Sequence, residues 1–352
     1  MKIFDPILRL TLISLCVLVS TTNICAESNS EEKTEKGSYN PTPDILHHIL
    51  DSYEWHLWGK VSIPLPVILY TEGNWDIFMS SKLHHGESKF IIEDRTYKMA
   101  HHPEDSNKKI IVEEGGKKII NLSITKNVAS MLLSTLILLF LLGKVSRSYK
   151  RKKGAPKGLQ SFLEPIILFV REDIIKSNIG PKHEKYTMFL LTVFFFILIN
   201  NLLGLTPGAA NVTGNISVTF VLSMFTFVVI TLSANKGYWK HLISPPGTPV
   251  ALLPIMIPIE IFGVFTKPFA LMIRLFANIT AGHIIIFSLI SLIFVASDNG
   301  VNPAAGWAVA PMSVLFVLFI FLIEILVAFL QAYIFTLLSA VFIGLAVKEE
   351  NH

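Results

Sequence analysis

The sequence predicts a mainly α-helical, polytopic membrane protein with about five transmembrane helices, two of them long and tilted. An interfacial amphipathic helix and a small β-rich N-terminal extracytoplasmic region complete the expected fold. Three observations carry this. Of 352 residues, 51% are hydrophobic and only 16% charged, against a usual charged share of about 25%. The apolar residues come in runs long enough to cross a bilayer. The basic residues gather in the loops and tail between those runs, the asymmetry expected of cytoplasmic segments. A net charge of +4 spread in this way excludes a nucleic-acid surface. Both cysteines, Cys16 and Cys25, lie at the very start, so the mature chain has no thiol chemistry or disulfide to offer.

Residues 1–26 read as a signal peptide. Lys2 and Arg9 precede or enter the apolar run Leu10–Val19, and Ile24-Cys25-Ala26 places a cleavage site after Ala26. An uncleaved anchor is the alternative; either one delivers the next segment outside the cytoplasm. Cys25 lacks the context of a lipoprotein site. Residues 27–40 are polar, charged and aperiodic, and read as a linker. The extracytoplasmic region is bounded at 27–125, followed by a membrane domain at 126–352. Within the former, short β-like runs at 61–70, 90–92, 110–112 and 118–124 are separated by turn residues. Pro64 and Pro66 predict an edge strand for the first run. Seven of the eleven histidines (His47, His48, His56, His84, His85, His101 and His102) fall here. Their spacing matches no compact metal pattern, so no metal site is expected.

Val128–Val145 is the first expected span, closed by KVSRSYKRKKGAPK, a basic cluster that places this loop in the cytoplasm. Leu159–Ile175 has apolar residues at 159, 162, 163, 166, 167, 170 and 174, a helical period interrupted by Pro165. With Glu164, Arg171, Glu172 and Asp173 also on it, it reads as a helix lying on the cytoplasmic surface. Met188–Leu205 and Ile216–Leu232 are the next spans, joined by an uncharged outer loop. A stretch of about 45 residues from Val250 to Ala296 follows. As one helix it is roughly 68 Å long, over twice the hydrocarbon thickness of about 30 Å, so it is tilted, bent or broken, with Pro254, Pro258 and Pro268 as the places. Pro311–Val347 returns inward to a cytoplasmic tail.

The two long helices carry the chemistry. Glu260, Lys267 and Arg274 are seven apart, so they drift about 20° per step and share one face, with Asn278 one turn beyond. Glu324 and Gln331 are likewise seven apart. An arginine at bilayer depth costs about 2.5–3.5 kcal/mol on insertion scales, so it needs a partner or a wet cavity. Glu260 is fourteen residues from Arg274, roughly 21 Å along a helix, too far to neutralise it. The missing carboxylate comes from another helix or another chain. Opposite helix directions put His283 and Glu324 in the outer half and Glu260 in the inner half. A histidine and a carboxylate relay protons near neutral pH, and a fixed cation between the halves blocks direct passage. Two offset half-channels follow. Nine residues on a straight helix turn His283 to the face opposite Arg274. Either the half-channels approach from different sides or Gly282 marks a local distortion. Gln331 also fits plain interhelical bonding, Glu324 and His283 a structural pair, and Lys267 a positional member of the stripe. Asn200 and Asn201, at the outer end of an earlier span, fit either a helix–helix bond or a functional role.

In PFALMIRLFANITAGH (268–283) and EILVAFLQAYIFTLLSAVFI (324–343), and more weakly in NNLLGLTPG (200–208), the sequence resembles the subunit a family of F-type ATP synthases. The resemblance covers roughly 120–348. It implies a partner ring of c subunits, each with a mid-membrane carboxylate, together with b-type peripheral stalk subunits and the remainder of the complex, in a bacterial inner membrane. Arg274 then matches the family's essential arginine, and Asn278 and Gln331 match positions close to it. His283 and Glu324 match an interacting outer-channel pair, Glu260 a cytoplasmic-side position, with Lys267 and Asn201 as weaker members. No cofactor is implied and the chain is no enzyme by itself: it holds no Walker-type phosphate loop. The long N-terminal region departs from the family core. A self-contained secondary transporter predicts a substrate site within one chain, often with internal repeats, and none is seen. A membrane scaffold leaves Arg274 unexplained.

Overall fold

The computed structural model describes residues 41–347 apart from 43–49, 59–60, 87–88, 93–94, 103–104, 117–118, 152–157, 207–209, 244–251 and 299. The expected signal peptide, both cysteines, the linker, His47, His48 and the tail from Lys348 lie outside the described residues, as do the side chains of His84, His85, His101 and His102. The chain forms two compact units. One comprises residues up to Leu132 with Leu202–Gly214 and Ile279–Leu326; the other comprises Leu133–Asn201, Asn215–Asn278 and residues from Val327.

In the first unit the N-terminal region builds eight strands: β1 (Glu54–Trp58), β2 (Val61–Pro64), β3 (Pro66–Thr71), β4 (Asn74–Met79), β5 (Phe90–Ile92), β6 (Arg95–His102), β7 (Asp105–Glu113) and β8 (Ile119–Asn121). They pair antiparallel as β1-β2, β4-β3-β8 and β5-β6-β7. The β3–β4 hairpin turns on Glu72 (φ 48°) and Gly73 (φ 95°), the two positive φ values of a type I′ turn whose twist suits a two-residue loop. β3 alternates, burying Val67, Leu69 and Thr71. These inward residues meet Phe78, Tyr97 and Ile111 in one small core. Phe78 lies tilted against Phe90 at 4.7 Å and stacks on Tyr97 at 6.0 Å between ring centres. Arg95 pairs with Asp76 at 2.6 Å, and the Tyr97 hydroxyl donates to the same carboxylate oxygen at 2.6 Å.

The run 61–70 is not one edge strand. It divides at Leu65, and its second half, β3, is the central strand of its sheet. Pro66 is tolerated because it is the first residue of that strand, where its missing N–H breaks no ladder; its carbonyl accepts Ile124 N–H at 3.1 Å.

The helices are α1 (Lys126–Arg151), α2 (Leu159–Leu168), α3 (His183–Gly204), α4 (Ile216–Ser233), α5 (Lys236–Ile243), α6 (Leu253–Ala296) and α7 (Pro303–Val347). Among the described residues five stretches are long and apolar enough to cross a membrane: 126–147, 159–204, 216–233, 253–296 and 303–347. This is an integral membrane protein. Pro165 does not end α2, which runs on into a π-helical stretch, Phe169–Lys176, and the short helix Ser177–Ile179. Gly180, at φ 77°, then redirects the chain into α3, a backbone state that costs a residue with a Cβ.

α6 is a single unbroken helix of 44 residues. Pro254 sits in its first turn, where the N–H has no intrahelical acceptor, while Pro258 and Pro268 each omit one bond without breaking the run. α7 starts at Pro303, eight residues before the expected Pro311. Proline is preorganised for the first helical turn, and Pro311 is carried inside.

The second unit packs Val170, Ile174, Leu190, Phe194, Leu271, Leu275, Phe335 and Ile343 into its core. α7 approaches through Ala328, Ala332, Thr336, Ser339 and Ala340, all buried; small residues let backbones come close where lipid supplies no hydrophobic drive. A Cβ on Gly344 would lie 2.2 Å from the Asn178 carbonyl oxygen. The carbonyls of Ala346 and Val347, orphaned at the end of α7, are capped by the Asn235 backbone N–H (2.9 Å) and side-chain amide (2.6 Å).

Candidate functional site

In the second unit α6 buries Leu271, Met272 and Leu275, spacing that fixes one helical face inward. Arg274 and Asn278 are on the opposite, exposed side, with Ile273 beside them. Among the described residues no carboxylate pairs with Arg274. Its backbone is held instead: buried Gln331 on α7 donates its amide to the Arg274 carbonyl at 3.0 Å, joining the carbonyl's own helical bond. One turn before Gln331, the Ala328 carbonyl accepts the amide of buried Asn201 from α3 at 3.2 Å. Asn200 turns its amide to its own helix, onto Phe196 O at 2.8 Å, and leaves its carbonyl oxygen buried without a partner among the described residues. Two side-chain amides thus fix α7 at adjacent turns, one to the arginine's own peptide unit.

Lys267 is half-buried, with Nζ 5.1 Å from the Phe342 ring centre and 5.8 Å from that of Tyr238. A cation against two aromatic faces is stabilised by their quadrupoles, which gives this residue a positioning contact. Glu260 is half-buried, and its charge acts on both Lys267 and Tyr238. Burial, and then the Glu260 carboxylate, raise the Tyr238 phenol above its ordinary value. Nothing in the sequence singles out Tyr238, since an aromatic on a short amphipathic helix looks like an ordinary interfacial residue.

The first unit holds Glu324 and His283. Glu324 is 3% exposed, and neither carboxyl oxygen has a hydrogen-bond partner among the described residues; the same is true of His283 Nε2, Thr280 Oγ1 and Asn211 Nδ2. A buried carboxyl group without partners is costly, so water or a transferred proton must satisfy Glu324. Glu324 lies flat against Gly282: a Cβ there would fall 2.1 Å from Oε1 and 2.7 Å from Cδ. Gly282 is therefore not a helix distortion but the surface that admits the carboxyl group. Gly204 neighbours His283, but a Cβ at that position would stand 4.0 Å from Nε2, an ordinary contact, so nothing there has to be cut away for the histidine. The buried, unpartnered polar atoms of Asn211 and Thr280 escaped the sequence reasoning, because a loop asparagine and an isolated threonine carry no signal without the fold around them.

The family model described as ATP synthase A chain matches residues 128–344. A second, described as a domain of unknown function, matches residues 44–128. The ATP synthase subunit a of Chloroherpeton thalassium is 49% identical over 248 residues, covering 68% of this chain and 71% of its own length. That of Chlorobium phaeobacteroides (strain DSM 266) is 48% identical over 282 residues, covering 76% and 78%. The Myxococcus xanthus subunit is 45% identical over 242 residues, covering 66% and 76%.

Proposed function

The chain belongs to the ATP synthase A chain family, and from that premise we propose how it acts as the proton-channel subunit of an F-type ATP synthase. Protons from outside reach Glu324 and His283, pass to a carboxylate on a rotating c-subunit ring, travel with the ring through lipid, and leave past Glu260 on the cytoplasmic side. Arg274 is the electrostatic barrier that forces this route, and the ring carboxylate is its intermittent partner. Asn278 shares the exposed face and contacts the ring beside it. Gln331 and Asn201 set the level of the arginine, and Lys267 holds the inner end of the stripe. The membrane potential supplies about 2.3 kcal/mol per charge per 100 mV. ATP chemistry belongs to the catalytic head, with b-type stalk subunits bracing this chain against it.

The observation that carries this reading is Arg274 itself, exposed on the chain's own surface with no carboxylate pairing it among the described residues. An unpaired intramembrane cation at a subunit surface is accounted for by a charge on another chain. The outer topology follows from the basic loop after α1: residues 27–125 stand outside a bacterial inner membrane, with 1–26 as a signal peptide and the C-terminus in the cytoplasm. Leu159–Ile179 lies along the cytoplasmic face.

The test is Arg274→Ala in assembled complex, assayed in membrane vesicles for ATP-driven proton pumping and passive proton leak. Pumping falls to background while the complex stays intact, and leak rises. Normal coupled pumping in this variant would overturn the mechanism.

A further inference from the structure

The region 44–128 matches a family with no assigned role, and one face of it is apolar beyond the needs of its own core. β3 turns Val67, Leu69 and Thr71 into that core, so Pro66, Ile68 and Tyr70 face the other way. Pairing with β4 sets Met79, Ile77 and Trp75 opposite them. On the other flank, Ile120 of β8 stands opposite Tyr70. The ladder continues past β8, where Leu122 donates to Ile68 O (2.9 Å) and Ile124 to Pro66 O (3.1 Å). The outer face of this sheet therefore carries three rows of apolar and aromatic side chains and no charge. An antiparallel sheet with one solvated face alternates apolar and polar residues. This sheet is apolar on both faces, and Trp75, Ile77, Met79 and Ile120 are exposed. A contiguous exposed apolar patch marks an interaction site.

The place of the patch identifies what meets it. One residue, Thr125, separates the ladder from Lys126, the first residue of α1. The start of α1 is held to the N-terminal region: the Ser52 carbonyl accepts Lys126 N–H at 2.8 Å and Asp51 Oδ1 accepts Asn127 N–H at 3.0 Å. Two orphan donors of the first turn are satisfied in this way. The apolar stretch 126–147 is about 33 Å long as a helix, close to the hydrocarbon thickness of about 30 Å, so Lys126 stands at the edge of the bilayer core. The headgroup layer adds about 5–7 Å on each side, and two residues span about 7 Å at most. The row of Ile124, Pro66 and Met79 therefore starts within that layer. Trp75 and Tyr70, with ring centres 4.9 Å apart, are the two residue types that gather at membrane–water interfaces.

We propose that the outer face of the β4-β3-β8 sheet docks on the lipid surface beside α1, making the N-terminal region a collar seated on the membrane. A bilayer interface takes up apolar side chains with interfacial aromatics and requires no matched charge, which is what this face offers. In the topology given above the leaflet is the extracytoplasmic one. The collar fixes the level at which α1 enters the membrane, through the Asp51 loop on one side and the ladder on the other. This depends on α1 crossing the bilayer and not on the route of the proton.

The experiment uses the complete complex in vesicles of phosphatidylcholine and phosphatidylglycerol, with native cysteines replaced and one cysteine added for a small fluorescent label. Ile77→Cys reads the middle of the face. Leu132→Cys on α1 is the lipid standard, and Gly115→Cys, in the turn between β7 and β8, is the water standard; all three positions are exposed on the chain. Phospholipid with a nitroxide high on its acyl chain quenches labels at the interface, and iodide on both sides of the membrane quenches labels in water. Ile77→Cys is expected to match Leu132→Cys in lipid quenching within about twofold, and to be quenched by iodide about three- to tenfold less than Gly115→Cys. Iodide quenching equal to that of Gly115→Cys overturns the proposal, because the face then stands in water. Protection from both quenchers also overturns it, since a protein surface, from a second copy or another subunit, then covers the face. Lipid quenching at Met79→Cys but not at Ile77→Cys means that only the tethered edge touches lipid, and counts against docking. Adding Trp75→Asp to Ile77→Cys is expected to cut the lipid quenching more than about threefold, with assembly intact on a native gel. An unchanged value would show that the tether alone holds the sheet there, and overturns docking by this face.

Discussion

Arg274 and Glu324 are both ionisable residues on helices long enough to cross the membrane, yet the fold treats them in opposite ways. Arg274 is exposed on the surface of the chain, with its peptide carbonyl held by Gln331. Glu324 is buried against a glycine with both oxygens unpartnered among the described residues. In the mechanism we propose, the contrast separates two tasks. A barrier that meets a moving partner has to face outward and stay at a fixed level, so its helix is anchored and its side chain is left open. A group that passes protons inward needs a shielded space with unsatisfied polar atoms, so its surroundings are cut away to glycine.

The comparison breaks most completely at Arg274. Arg274→Lys keeps a charge but loses the planar fork that matches a carboxylate; coupled pumping is expected to fall by about a hundredfold, measured as ATP-driven vesicle acidification. Survival of more than about a third of the activity would show that charge alone suffices. Gly282→Ala comes next. The added methyl occupies the place of the Glu324 carboxyl group, and overpacking of a buried site costs about 1–3 kcal/mol. Pumping drops about tenfold, and the double variant Gly282→Ala with Glu324→Asp, whose side chain is one methylene shorter, recovers part of the loss. Additive effects in that cycle would disprove the contact.

Smaller effects sharpen the picture. Gln331→Leu removes a hydrogen bond worth about 1 kcal/mol without stranding the Arg274 carbonyl, which keeps its helical bond. A loss of about fivefold in pumping, with normal assembly by native gel, is the expected outcome; an unaltered rate would make Gln331 a packing residue. Lys267→Met gives up a cation–aromatic contact of about 0.5–1 kcal/mol and is expected to change pumping by less than about twofold. A loss as deep as that of Arg274→Ala would move Lys267 into the pathway itself.

Much of this was legible before any coordinates. The helical spans follow from the sequence, because transfer of a segment into lipid depends mainly on its own composition; the β-rich region follows from its short runs between turn residues, and Glu260, Arg274, His283, Glu324 and Gln331 are candidates that the sequence singles out. A charged side chain interrupting such a segment therefore stands out by itself. Boundaries at proline were less legible. Pro66 and Pro303 both open elements that they were expected to limit or lie outside, since a first position tolerates a missing N–H.

What only the tertiary structure decided is which way each side chain faces and what it meets. A helix turns 100° per residue, so a seven-residue spacing groups polar residues without saying whether their face is buried or exposed. Packing of Leu271 and Leu275 into the core turned Arg274 outward. Close approach at Gly282 brought Glu324, one helix away and 42 residues on, against the turn that holds His283. Lys126 reads in the sequence as an ordinary charge at the edge of a span. The Asp51 loop and the β3 ladder fix its backbone at the start of α1 and leave the residue buried, because contacts between distant segments are set by the fold and leave no local mark in the sequence.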